Sequence, residues 1–257
     1  LMGGQVADHG TINGLVVEDV IKLPHGQYLH VIETDSFNEQ DDVLAIIDQD
    51  RRNLTSRNHT ATHLLHQAIK DVIGDHSHQQ GSYNGPNKLS FDVNHYESIT
   101  QEQIIKIEEI VKEKILKSVP VITKEMPIDE AKKTGANMLF GEKYGDLVRV
   151  VSIDNWSIEF CGGTHVLNTK DIEGFMITSV ESIGSGIFRF EGFTQDVKLN
   201  AINHLTNQID TINQLVQKAK DLDPNFYINQ APELLGSYND ILNYRNYITK
   251  LSNDVKN

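Results

Sequence analysis

Two short motifs carry the candidate chemistry of this chain: His59-Thr60-Ala61-Thr62-His63 and Cys161-Gly162-Gly163-Thr164-His165. Between them they bring three imidazoles and the single cysteine of the sequence. That donor set holds a borderline-soft ion such as zinc tetrahedrally. The first two histidines stand at i, i+4, so on a helix both rings point the same way. The second motif falls where strand-like sequence gives way to two glycines, and a tight turn there brings thiolate and imidazole together. Either motif alone reads as an ordinary polar stretch. Two independent half-sites read as a metal centre, and the expected ligands are His59, His63, Cys161 and His165, with one zinc ion per chain.

The elements that must position these groups follow from apolar periodicity. In residues 58–73, Ala61, Leu64, Leu65, Ala68 and Val72 form one narrow stripe of a helix, and Gly74 caps its C-terminus. At helical phase His59, His63 and His66 lie on the face opposite that stripe. Thr100 with Gln103 is a capping box that opens a second helix, with Ile104, Ile107, Val111 and Ile115 as its buried stripe. A short third helix is expected at 129–135, and strands at 148–153, 157–161, 174–181 and 187–193. In the second of these strands Ile158 and Phe160 point one way, while Ser157, Glu159 and Cys161 point the other. Cys161 therefore shares a face with a carboxylate, and the other face is free to pack on helices.

Short β-like runs at 15–17, 28–32 and 43–47, separated by turns, suggest a small β-barrel or sheet that begins part-way through. Near the other end, Ile202, Leu205, Ile209, Ile212, Val216 and Ala219 alternate spacings of three and four. Pro224 and Pro232 interrupt that seam before Leu234, Tyr238, Ile241, Ile248, Leu251 and Val255 restart it. The expectation is a helical hairpin or the root of a coiled coil, a spacer or self-association element without chemistry. The fold class is then α+β: a partial barrel over 1–53, a two-layer α/β domain holding the metal over 54–195, and a helical segment over 196–257.

With 39% hydrophobic and 23% charged residues among 257, the composition is that of a soluble globular protein. No apolar run reaches the ~18 residues of a membrane span, and no signal-peptide profile opens the chain. A lone cysteine excludes an internal disulfide framework and fits a reducing cytoplasm. The net charge of −13 argues against general nucleic-acid binding, so any such role needs a local basic patch. No phosphate-binding loop of the Gly-x-x-x-x-Gly-Lys-Ser/Thr kind is present, which excludes the commonest ATP site.

The longer stretch Arg57-Asn58-His59-Thr60-Ala61-Thr62-His63-Leu64-Leu65 resembles the start of the editing domain of the alanyl-tRNA synthetases. So do Phe140-Gly141-Glu142-Lys143-Tyr144-Gly145 and Ile158-Glu159-Phe160-Cys161-Gly162-Gly163-Thr164-His165. Upstream, Gly3-Gly4-Gln5-Val6-Ala7-Asp8-His9-Gly10 is similar to the segment of the β-barrel that precedes that domain. The resemblance spans residues 3–195 in the family's order. Two positions depart from it. Phe188-Arg189-Phe190-Glu191 keeps only Arg189 of two arginines usual in the family, and Gln195 replaces a glycine often seen after Thr194.

The resemblance implies a fragment of such a synthetase, with its ligase half missing, that hydrolyses the ester joining serine or glycine to alanine tRNA without using ATP. Its partners would be the tRNA acceptor end and the rest of the synthetase in cis. Gln79 matches a family position implicated in the editing pocket; Thr62, Gly184, Gly186 and Arg189 are further substrate-binding candidates. Glu159 and His66 are the catalytic candidates, with Glu159 serving either as general base or, the favoured reading, as carboxylate partner of a ligand imidazole. Zinc would either activate water or orient the aminoacyl group. The rival readings are a freestanding aminoacyl-tRNA deacylase and a zinc-stabilised tRNA-docking module without turnover.

Overall fold

A computed structural model of the protein describes residues 4–34, 42–138, 144–225 and 227–255. Part of the family-like motif at 140–145, namely residues 140–143, lies outside the described residues, as does Gly3. Five short strands come first: β1 (Gly10–Ile12), β2 (Leu15–Val16), β3 (Asp19–Lys22), β4 (Tyr28–Val31) and β5 (Ala45–Ile47). They divide into a three-stranded sheet ordered β2-β1-β5 and a separate β3-β4 hairpin. Among the described residues no closed barrel forms. The expected strands at 15–17, 28–32 and 43–47 are present but shorter, and β1 and β3 pair with strands the sequence reading had left without partners.

The metal-motif helix α1 (Gln49–Ile73) starts well before residue 58. Its early turns are polar and show no apolar stripe, but Asp48 caps them by accepting a hydrogen bond from the Arg51 amide. The helix runs unbroken across residues 53 and 54. It ends at Gly74, whose φ of 125° is one that only glycine adopts without strain. Next come β6 (Gln79–Asn84), β7 (Leu89–Asn94) and α2 (Gln101–Leu116), the last opened by the Thr100–Gln103 capping box. Then follow β8 (Val121–Pro127), α3 (Ile128–Lys133), β9 (Leu147–Ile153), β10 (Ser157–Phe160), a 3-10 turn at Thr169–Ile172, β11 (Phe175–Gly184) and β12 (Ile187–Thr194).

Two antiparallel sheets, β11-β12-β7-β6 and β10-β9-β8, make the body of the domain. The stripe Ala61, Leu64, Leu65 and Ala68 joins Leu89, Phe91, Val93 and Phe190 of the larger sheet in one core. Its opposite face is not solvated: His59, His63 and His66 are 1%, 3% and 6% exposed. That face meets β10, whose Glu159 and Cys161 side points at α1. The Ile158 and Phe160 side of β10 packs with Ala131 of α3 in a small second core. Both faces of β10 are therefore covered, which is why three histidines on one helix face can be buried together.

The helical tail is not a spacer. It comprises α4 (Val197–His204), α5 (Thr206–Leu222) and α6 (Tyr238–Asp254). Leu205, Ile212, Tyr238, Ile241, Tyr244 and Leu251 belong to the same core as α1, α2 and β11. The joint is polar as well. Glu108 of α2, 4% exposed, accepts from the backbone amides of Ile177 and Tyr238 and from Lys112 Nζ. Lys112 in turn donates to Gly236 O, and Asp240 closes a cap over the amides of Leu235, Gly236 and Ser237. Burial raises the Glu108 carboxyl above its ordinary range, against the pull of Lys112 and the two amides. A carboxylate in the apolar stripe of α2 was a signal of this joint that periodicity alone passed over. Among the described residues no helix is long and apolar enough to cross a membrane.

Candidate metal centre

The structure brings His59, His63, Cys161 and His165 together, with one ligand atom from each lying within 4.8 Å of all the others. Cys161 Sγ is 3.3 Å from His59 Nε2 and 3.3 Å from His165 Nε2. A zinc tetrahedron with the usual bond lengths has N···S edges of about 3.5 Å, so this spacing fits the ion closely. Among the described residues this is the single such cluster of histidine, cysteine and acidic side chains.

The surrounding hydrogen bonds settle which nitrogens are offered. His59 Nδ1 faces Gln5 Oε1 at 2.8 Å, an atom that can only accept, so Nδ1 carries the proton and Nε2 is free to ligate. Thr60 Oγ1 gives its proton to Ser56 O and faces His165 Nδ1 at 3.2 Å, which leaves His165 in the same tautomer. His63 Nδ1 is buried with no hydrogen-bond partner, while its Nε2 lies 3.8 Å from Glu159 Oε2. A coordinating nitrogen is the natural account of such a buried orphan. Burial, the neighbouring imidazoles and the Arg149 guanidinium push His59, His63 and His165 below the usual imidazole range. The rings are therefore neutral at physiological pH, the state in which imidazole binds a metal.

The loop that carries Cys161 is held from outside. Arg149 donates to Cys161 O at 3.0 Å and also to Gly163 O. Gly163 must be glycine: a Cβ there would overlap the His59 ring and Gln5 Oε1. Gln5 is the residue the sequence reading missed. Quoted there only as part of a barrel-like segment, it is 3% exposed and clasps both motifs, accepting from the Thr164 amide at 2.8 Å while holding His59. Its neighbour Gly4 lies against Ser82 O with φ 70°, which again only glycine adopts without strain. Replacing Gln5 with Ala should weaken zinc binding about 10- to 100-fold without unfolding the protein. Competition with a chromophoric chelator reads this directly, and unchanged affinity would remove Gln5 from the centre.

Glu159 and His66 form a buried pair, with His66 Nδ1 at 2.9 Å from Glu159 Oε1. Burial alone would raise the Glu159 carboxyl, but the imidazoles of His63 and His66 hold it at about 2. It is thus an ionised acceptor engaged with two histidines. That geometry suits orientation of His63 better than proton transfer. The other candidates have partners of their own. Thr62 Oγ1 lies 2.6 Å from Asn84 Oδ1 and 3.0 Å from Asn58 O in a buried polar network. Arg189 makes a two-pronged ion pair with Asp92. Gly184 pairs with Ile187 at the β11-β12 hairpin, where Gly186 O accepts from the His95 amide. Gln79 Nε2 reaches Ser82 Oγ at 3.3 Å. Among the described residues, two clefts open beside the ligand loop, and none of these five residues lines either of them. One of those clefts, on the Cys161 side, is lined by Tyr144, Leu147, Arg149 and Phe160.

Part of this domain is matched by a known family. The model described as "Threonyl and Alanyl tRNA synthetase second additional domain" covers residues 148–191, which include Cys161 and His165. Over nearly its whole length the chain is similar to alanine–tRNA ligases. It is 59% identical over 254 residues to that of Acholeplasma laidlawii, covering 99% of this chain and 30% of the relative. It is 43% identical over 246 residues to that of Lysinibacillus sphaericus, covering 93% and 27%. With that of Listeria monocytogenes it shares 48% over 224 residues, covering 85% and 25%. The chain belongs with this segment of the alanyl-tRNA synthetases and spans about 30% of the length of the first relative.

Proposed function

We propose that this chain is the hydrolytic editing unit of an alanyl-tRNA synthetase, removing serine or glycine from mischarged alanine tRNA. The observation that carries the reading is the buried cluster of three neutral imidazoles and one thiol at zinc-like spacing, in a segment so similar to alanine–tRNA ligases. One zinc ion per chain, held by His59, His63, Cys161 and His165, would supply Lewis acidity at the ester. The chain's own residues do the rest. Gln5 and Thr60 keep His59 and His165 in the ligating tautomer, Glu159 with His66 orients His63, and Arg149 fixes the loop. The acceptor end of the tRNA is the partner, the remainder of the synthetase acts in cis, and the cytoplasm is the compartment.

The physical need for a second site is plain. A pocket built for alanine cannot strongly exclude glycine, which is smaller, or serine, which adds only a hydroxyl. An editing site can offer that hydroxyl a polar partner, and Gln79, on the α1-facing side of β6 by its pairing with Val93, is the proposed residue. Incubating the purified protein with seryl-, glycyl- and alanyl-tRNA for alanine tests this. Seryl ester should disappear at least about tenfold faster than alanyl ester, with no ATP added. A zinc-loaded protein that binds the tRNA yet leaves every ester intact is a docking module, and the editing reading then fails.

A further inference from the structure

Three of the six arginines of this acidic chain, Arg51, Arg52 and Arg57, fall within seven residues at the start of α1. Two of them, Arg52 and Arg57, line a cleft of about 320 Å³ with Gln49, Asn53 and Asp171, and His165 is among its other lining residues. Positions 49, 53, 56, 57 and 60 share one helix face by their spacings of three and four. That face leads from the helix start to Thr60, which touches the His165 ring. Arg57 is held by one ion pair, to Glu173 at 2.7 Å, whose side chain is 54% exposed. Arg52 is paired with Asp8. An exposed carboxylate on a guanidinium is readily exchanged for a phosphate, which offers the same two-pronged acceptor.

We infer that this cleft seats a ribose-phosphate of the single-stranded RNA 3′ end along the outer, Nδ1 edge of His165, with Arg57 releasing Glu173 to take the phosphate. The inference rests on the editing reading and names the local basic patch that a chain of net charge −13 needs. Gln49 Nε2 donates to Asn53 Oδ1, which leaves Gln49 Oε1, the Asn53 amide nitrogen and the Asp171 carboxylate to meet ribose hydroxyls, and these favour RNA over free phosphate.

The test is fluorescence anisotropy with a labelled single-stranded RNA ending in CCA, on the zinc-loaded protein. Arg57→Gln should weaken binding about tenfold and lower the slope of log affinity against log salt by about 0.7. Glu173→Gln should tighten binding, because it removes the competing carboxylate; a merely structural ion pair would instead make both variants equally poor. Lys218→Gln, which removes an exposed charge on α5, should bind like the parent, and zinc content should be the same in all. The DNA counterpart should bind more weakly, and millimolar inorganic phosphate should compete only slightly. Parent-like binding by Arg57→Gln, weakening by Glu173→Gln, or no binding by the parent each overturns the assignment. Loss of ester hydrolysis with this binding pattern intact would count against the editing reading and leave the cleft standing.

Discussion

In Cys161→Ala, the zinc content of purified protein is expected to fall from about one equivalent to below about a tenth. The thiol is the one ligand of the four able to carry negative charge, in a site whose side chains are nearly all enclosed. Without it, a dication would sit among neutral imidazoles, with Arg149 close by and only Glu159 to offset it. The apparent melting temperature should drop as well, since an ion that binds only the folded state stabilises it by mass action. Elemental analysis and a thermal scan in chelator, with Gly163→Ala for comparison, make the measurement. Gly163→Ala should lose zinc too, because its Cβ invades the His59 ring. Full zinc in Cys161→Ala would mean the cluster binds no metal through sulfur.

Deleting residues 197–257 is expected to leave an aggregating, poorly folded protein. The sequence reading suggested the opposite, a separable tail. In the structure, Leu205, Ile212, Tyr238, Ile241, Tyr244 and Leu251 complete the core beside α2 and β11. At about 1.5–3 kcal/mol for each large apolar side chain, the lost burial is on the order of 10 kcal/mol, comparable to the whole stability of a typical domain. The deletion also strips Glu108 of the Tyr238 amide and Lys112 of the Gly236 carbonyl. A milder probe is Glu108→Ala, which leaves the buried Ile177 and Tyr238 amides unpaired and should cost about 2–4 kcal/mol in urea unfolding. A soluble, zinc-loaded truncation melting with the parent would refute the packing described here.

What could be read from residue types was whatever depends on local spacing. The α1 stripe, the Gly74 terminus, the Thr100–Gln103 box and the two ligand motifs are each specified by a few neighbouring residues. The polar start of α1 escaped because its helicity rests on the Asp48 cap, without a stripe. Burial of the histidine face escaped because it depends on β10 arriving from a hundred residues away. Gln5 and Glu108 are polar residues whose meaning lies in partners distant in sequence, Thr164 and Tyr238 among them. Gln195 is instructive in the other direction. Its φ of 75° is left-handed, a conformation that favours glycine, so the glutamine here carries mild strain.

The ligand helix and the ligand loop are 102 residues apart. At ribosomal rates of about 5–20 residues per second, α1 waits roughly 5–20 s for its partner loop to be made. Through that interval its three histidines and Glu159's future binding face have no cover, while its apolar stripe can already begin to pair with β6 and β7. Newly made chains thus pass through a stage at which two imidazoles of one helix are open to any soft cation in the cell. The zinc proposed for the finished centre would meet its complete donor set only once residue 165 has emerged.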